Sequence, residues 1–219
     1  MSILPLDHGI FASSGAGAGG GVAGYIPGLF NGGFSTTVDK WAFPSDTRTT
    51  TNSLPAAGMS GGQFADSGVS GYKVGGYDSS WNRTQTTYKM TMPSDTWSTI
   101  TNVAAVVAYN VGNANSGVAG YSSGGQVTGG TFASAAIHKL TFPSDSWSTL
   151  TAALSFEYNQ YGGPMDNKGV ACYIAGGQYK SGGSNFVTHI VQKLLVPSDS
   201  HTTTTVLSAT NSYKGGCSN

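Results

Sequence analysis

The sequence predicts an all-β fold assembled from four copies of one four-stranded unit. Two recurring phrases and a turn-rich composition carry that expectation. Pro44, Pro93, Pro143 and Pro197 are each followed by Ser and Asp, at spacings of 49, 50 and 54 residues. Gly21-Val22-Ala23-Gly24-Tyr25 returns as Gly68-Val69-Ser70-Gly71-Tyr72, as Gly117-Val118-Ala119-Gly120-Tyr121 and as Gly169-Val170-Ala171-Cys172-Tyr173. Two phrases recurring in one order four times define a tandem repeat. Glycine supplies 33 of 219 residues, roughly twice its usual share, while charged residues at 9% fall far below the usual quarter. That composition excludes a coiled coil, and ten basic against ten acidic residues supply no charge-driven disorder and no basic surface for nucleic acid.

Within a unit the elements follow in order. Strand A is typified by Ala104 to Val111. Strand B runs through the Gly-Val-Ala-Gly-Tyr phrase to a Gly-Gly pair (Gly75-Gly76, Gly124-Gly125, Gly176-Gly177), with Gly28-Leu29 departing from the pair in the first unit. Strand C carries Lys40, Lys89, Lys139 or Lys193, four residues before each proline. Segments such as 86–92 and 188–196 are β-branched and aromatic and too short for helices. Pro-Ser-Asp-Thr then turns the chain, because proline presets φ, ends the strand and cannot donate to a ladder. Strand D follows, with Trp97 and Trp147 in a slot held by Arg48 and His201 in the outer units.

Four short strands per unit, a Gly-Gly pair and an outer tryptophan resemble the kelch repeat of β-propellers, over residues 21–219. The resemblance implies an all-β, four-bladed propeller with an extended N-terminal arm. The aligned ends imply closure by pairing of N- and C-terminal strands, with Ser208 to Cys217 as strand A beside the first strand B. An open stack of sheets or a solenoid is the alternative. Cys172 and Cys217 allow at most one bridge and have no zinc spacing, and the sequence leaves their pairing open.

Residues present in every unit are read as structural. Asp46, Asp95, Asp145 and Asp199 are expected to cap the turns, the four lysines to lie along the sheet or pair locally, and Tyr25, Tyr72, Tyr121 and Tyr173 to pack between units. Catalysis is not expected. The histidines His8, His138, His189 and His201 share no repeated slot, and Glu157, the sole glutamate, has no evident carboxylate partner for glycoside hydrolysis. No catalytic residue, metal ligand or cofactor is assigned.

Function is expected where units differ. From the strand B tyrosine to the strand C lysine the distances are 15, 17, 18 and 20 residues, so the B–C loops vary. They carry Trp81, Asn82 and Arg83 in the second unit and Tyr179, Lys180 and Phe186 in the fourth, residue types enriched in binding hot spots. Residues 1–20 belong to no repeat. Ile3, Leu4, Leu6, Ile10 and Phe11 precede a Gly/Ser/Ala tether, which suggests a docking arm. No apolar run reaches membrane-spanning length and no secretion signal is evident.

A Gly-Gly strand, a Lys-x-x-Phe strand and Ser-Asp-Thr with Thr-rich stretches look like the kelch-like repeats in tail and fibre proteins of bacteriophages, including cyanophages. That resemblance implies a non-enzymatic virion protein assembled in the host cytoplasm, a tail fibre component anchored to other virion proteins through residues 1–20 and touching host cell-surface polysaccharide. A capsid decoration protein and a free carbohydrate-binding kelch module are the alternatives. The oligomeric state is left open.

Overall fold

The computed structural model describes residues 11–13, 22–28, 33–43, 45–59, 61–66, 69–92, 94–115, 118–128, 133–160, 163–167, 170–196 and 198–209. Among the described residues all regular structure is β, in three antiparallel sheets. The first holds β1 (Phe11–Ser13), β2 (Val22–Pro27), β3 (Val38–Phe43) and β4 (Thr47–Thr51) in that order. The second is built from β5 (Gly58–Met59), β6 (Gly62–Asp66), β7 (Ser70–Asp78), β8 (Arg83–Thr91) and β9 (Thr96–Ile100), with β5 and β6 both on β7. The third joins β10 (Val111–Asn115), β11 (Ala119–Ser123), β12 (Ser134–Thr141), β13 (Ser146–Gln160), β14 (Gly163–Asn167), β15 (Ala171–Ser181), β16 (Ser184–Leu195) and β17 (Ser200–Val206).

The repeat is visible as a pairing pattern. Strand B lies between A and C, and D flanks C, as β1-β2-β3-β4, β6-β7-β8-β9, β10-β11-β12-β13 and β14-β15-β16-β17. Units 3 and 4 share one sheet because β13 runs on past its own unit and pairs with β15, placing Glu157 opposite Lys180 and Tyr158 opposite Tyr179. The inner strands pack in succession, β1 on β6, β6 on β10 and β10 on β14.

Two expectations are corrected. The inner strand of unit 3 is Val111–Asn115, not Ala104 to Val111. Residues 104–110 instead carry the chain inward from β9, touching neighbours through single bridges at Val107 and Ala108, and Tyr109, at φ 55°, breaks the extended run. The place beside β2 is filled by Phe11–Ser13, with Phe11 opposite Tyr25. The first sheet therefore takes its strand A from the segment expected to be arm and tether. Ser208 and Ala209 form a bend, and 210–217 lie outside the described residues.

The Gly-Gly pairs have a geometric cause. Gly75 and Gly76 sit at φ 64° and 101°, Gly124 and Gly125 at 62° and 96°, Gly176 and Gly177 at 70° and 115°, all in the half of φ space that Cβ disfavours. Gly28 keeps the same conformation, φ 72°, although its neighbour is leucine. At these points the connector to the next unit crosses the sheet: a Cβ on Gly75 would stand 2.3 Å from the Val107 carbonyl oxygen, and one on Gly28 would stand 2.2 Å from that of Gly58. The register shifts there as a bulge, between Val74 and Gly76 and between Ala175 and Gly177.

Among the described residues the core consists of three clusters, each between successive units. Tyr25, Val38 and Leu54 meet Tyr88, Met90 and Trp97. Phe64, Tyr72 and Val74 meet Leu140 and Phe142, with the Phe64 and Phe142 rings stacked on Tyr72 at 5.3 and 5.2 Å. Tyr121, Ile137 and Leu154 meet Cys172, Ile174 and Leu194. Burial of each such side chain contributes roughly 2 kcal/mol.

Six of the eight recurring charges bind units together instead of serving their own strands. Lys40 Nζ lies 2.7 Å from Asp95, Lys89 Nζ 2.6 Å from Asp145 and Lys139 Nζ 2.6 Å from Asp199. The hydroxyls of Tyr25, Tyr72 and Tyr121 donate to the other oxygen of the same carboxylates at 2.7, 2.9 and 2.9 Å. Each of these three lysines thus pairs with the following unit, where lying along the sheet or local pairing was expected. The turn is capped by serine, not aspartate: Ser45, Ser94 and Ser144 donate to the carbonyls of Ala42, Thr91 and Thr141. The aspartates take left-handed backbone, φ 50° to 54°, which tilts their carboxylates toward the preceding unit.

Candidate binding site at the hairpin ends

The β7–β8 turn is built by Asp78. Its Oδ1 accepts the backbone N–H groups of Ser80 and Asn82, both at 2.9 Å, and its Oδ2 accepts the Asn82 amide at 3.3 Å. The backbone hydrogen bond from Asn82 leads the effects that hold the Asp78 carboxyl below its ordinary range. The turn sets Trp81 at φ 63° and leaves it 46% exposed. Trp81 packs edge-on against Phe34 of unit 1 at 4.8 Å and against Tyr77 at 6.0 Å, and Tyr77 meets Tyr109 at 5.6 Å.

Arg83 lies over the Tyr77 ring at 5.7 Å and donates from Nε and Nη2 to Gln126 Oε1 at 3.3 and 3.1 Å. The Tyr77 hydroxyl donates to the same oxygen at 2.7 Å. The three candidates of unit 2 therefore divide. Asn82 builds the turn, Arg83 ties unit 2 to unit 3, and Trp81 presents ring surface.

The unit 4 candidates form a second patch. Tyr179 and Phe186 are direct cross-strand partners and stack at 5.6 Å. Tyr179 also meets Phe156 at 4.5 Å. Lys180 stands opposite Asn185 on one side and Glu157 on the other. The hairpin closes through Gly182 and Gly183, φ 57° and 84°, the conformation of a two-residue type I′ turn. Phe186 and Val187 are 46% and 42% exposed, on opposite faces of the outer end of the hairpin.

Both patches occupy the β-hairpin ends of their sheets, in units separated by unit 3. The sequence reading missed Phe34, Tyr77, Tyr109 and Gln126, which belong to three different units and share no spacing signal. Of the proposed anchoring residues, Ile3, Leu4, Leu6 and Ile10 lie outside the described residues, and Phe11 falls in β1.

Elsewhere the polar groups serve the interior. No group of three His, Cys, Asp or Glu side chains able to hold a metal ion occurs among the described residues. His138 is buried, with Nδ1 3.0 Å from Thr149 Oγ1, and burial lowers its pKa. Burial likewise lowers that of His201, whose Nε2 meets Gln192 Oε1. A space of about 10 Å³ between units 3 and 4, lined by Ser123, Cys172, Gln192 and His201 among others, has room for a single water at most. Cys172 is buried in the unit 3–4 core; Cys217 lies outside the described residues. No protein-family model matches the chain, and no curated protein matches it.

Proposed function

We propose that this chain is a non-enzymatic display module of a bacteriophage particle, a four-bladed kelch-like propeller whose hairpin ends contact host-surface polysaccharide. The observation that carries the reading is the division of labour between residue classes. Of the residues that recur in every unit, three sets of Tyr, Lys and Asp are spent on joining successive units, whereas Trp81 and Phe186, which do not recur, stand exposed at the hairpin ends. Aromatic faces of this kind stack on the apolar faces of sugar rings, and a rigid frame supplies them without an ordering cost. The four-fold pairing pattern and the succession of inner strands support the propeller. Placement in a tail fibre is supported by the resemblance of the repeats to phage fibre proteins.

Purified chain, labelled with a fluorophore, is mixed with susceptible host cells and with their extracted polysaccharide. Binding that falls at least tenfold in Trp81→Ala or Phe186→Ala, with an unchanged thermal midpoint, is the expected result. Absence of binding to every susceptible host removes the adhesion role. Absence of the chain from purified particles, read by mass spectrometry, removes the virion assignment.

A further inference from the structure

The polar groups around the Trp81 ring are unevenly spent. Tyr77 and Arg83 are cross-strand partners at the open end of β7 and β8, and both donate to the side-chain oxygen of Gln126 from unit 3. A guanidinium donates and never accepts, so these contacts orient the Gln126 amide. Its Oε1 faces Arg83 and the Tyr77 hydroxyl, while Nε2 forms the other arm and donates to no acceptor among the described residues. Gln126 is half-buried, within reach of solvent.

The carboxylate of the same hairpin end is also used from within. Asp78 Oδ1 takes the backbone N–H groups of Ser80 and Asn82, and Oδ2 takes the Asn82 amide. Both strong side-chain acceptors of this end, Gln126 Oε1 and the Asp78 carboxylate, are thus occupied. What the end presents is an amide N–H, the positive charge of Arg83 and the Trp81 ring, 46% exposed. Trp81 also stands at φ 63°, which a bulky residue adopts at a cost, where the unit 4 hairpin turns through Gly182 and Gly183. The turn needs only tolerance of positive φ, so the ring itself is what tryptophan adds.

We propose that Gln126 and Arg83, beside the Trp81 ring, form a subsite for the carboxylate of a uronate residue in an acidic polysaccharide. The proposal rests on the reading of Trp81 as a sugar platform and names the class of sugar it takes. A uronate has an apolar ring face that stacks on indole and, at the ring edge, a planar carboxylate that accepts from an amide N–H and a guanidinium. A neutral hexose brings hydroxyls instead, each of which donates as well as accepts, and the strong side-chain acceptors that would receive those protons are taken. Charge points the same way: the ligand group is an anion because the group that meets it is a cation with an amide donor at its side.

Calorimetric titration of the full chain tests this with oligomers of galacturonate, glucuronate and mannuronate, each beside its carboxyl-reduced form, which keeps the sugar ring and has a neutral hydroxymethyl group instead of the carboxylate. At least one uronate oligomer should bind, and its affinity should fall about tenfold or more on carboxyl reduction. Gln126→Glu keeps an oxygen for Tyr77 and Arg83 but replaces the amide donor with an anionic oxygen. It should lose uronate affinity to a similar degree with no drop in thermal midpoint, which a purely structural role for Gln126 would not produce. Equal binding of the reduced and unreduced forms, or unchanged uronate affinity in Gln126→Glu, overturns the subsite. So does failure of every uronate to bind while host polysaccharide is held in a manner lost in Trp81→Ala, and in that case the platform reading stands. If neither the oligomers nor host polysaccharide bind, both readings fall.

Discussion

Lys89 and Asp145 stand 56 residues apart in the chain and belong to different units, yet the ammonium nitrogen lies 2.6 Å from the carboxylate. The Tyr72 hydroxyl fills the other carboxylate oxygen at 2.9 Å. Burial leads the effects that raise the Tyr72 pKa, with the Asp145 hydrogen bond next, so the phenol remains a donor through the physiological range.

Removal of this carboxylate leaves two donors without an acceptor at a half-buried junction. Asp145→Ala should lower stability by about 2 kcal/mol, read from the urea midpoint. Asp145→Gly should cost less than alanine, because Asp145 sits at φ 53° and glycine removes the Cβ strain while losing the same clasp.

Two glycines of similar backbone separate strain from collision. Gly75 and Gly182 have φ 64° and 57°, but a Cβ at Gly75 meets the Val107 carbonyl at 2.3 Å while one at Gly182 meets nothing within 4 Å. Gly182→Ala should cost about 1 kcal/mol, the left-handed strain alone. Gly75→Ala should cost more than about 3 kcal/mol, since backbone must move. Chemical denaturation of both variants side by side checks the difference.

Acid should weaken the fold through two histidines. Burial holds His138 and His201 below their ordinary range, so the folded chain binds fewer protons than the unfolded chain. Their contribution is complete above the ordinary value of about 6.5 and is lost as pH falls through the folded values. The urea midpoint should decline from pH 7.5 to pH 5, and His138→Gln with His201→Gln should flatten that decline.

Alkali acts in the opposite sense on the tyrosines. Burial first, and the hydrogen bonds to Asp95, Asp145 and Asp199 next, raise Tyr25, Tyr72 and Tyr121. Stability they provide is complete below the ordinary tyrosine value of about 10 and is lost as pH rises through the folded values. Tyrosinate absorbance on a rising pH titration should lag behind that of the urea-unfolded chain, and Tyr72→Phe should shrink the lag.

The all-β character, the four-fold unit, the order of strands B, C and D and the Gly-Gly bends were legible in the sequence, because each depends on residues within a few positions of one another. Alternation, a proline at a strand end and glycine at positive φ act locally. Strand A was misplaced because Ala104 to Val107 has strand-like composition, and only packing shows that this stretch carries the chain inward across the preceding sheet. Trp81 and Phe186 were legible as exposed aromatics in variable hairpins, but their neighbours Phe34, Tyr77 and Phe156 were not.

What the sequence determined alone is the repeat: which residues return, at what spacing, and in which local conformation. What only the tertiary structure decided is the use of the returning residues. Lys40, Lys89 and Lys139 look like members of their own strands, and their partners lie 55, 56 and 60 residues onward. The reason is geometric. A strand fixes the direction of a side chain but not the distance to the next sheet, and a carboxylate on the following unit becomes the nearest acceptor only when the apolar faces of two units have closed on each other.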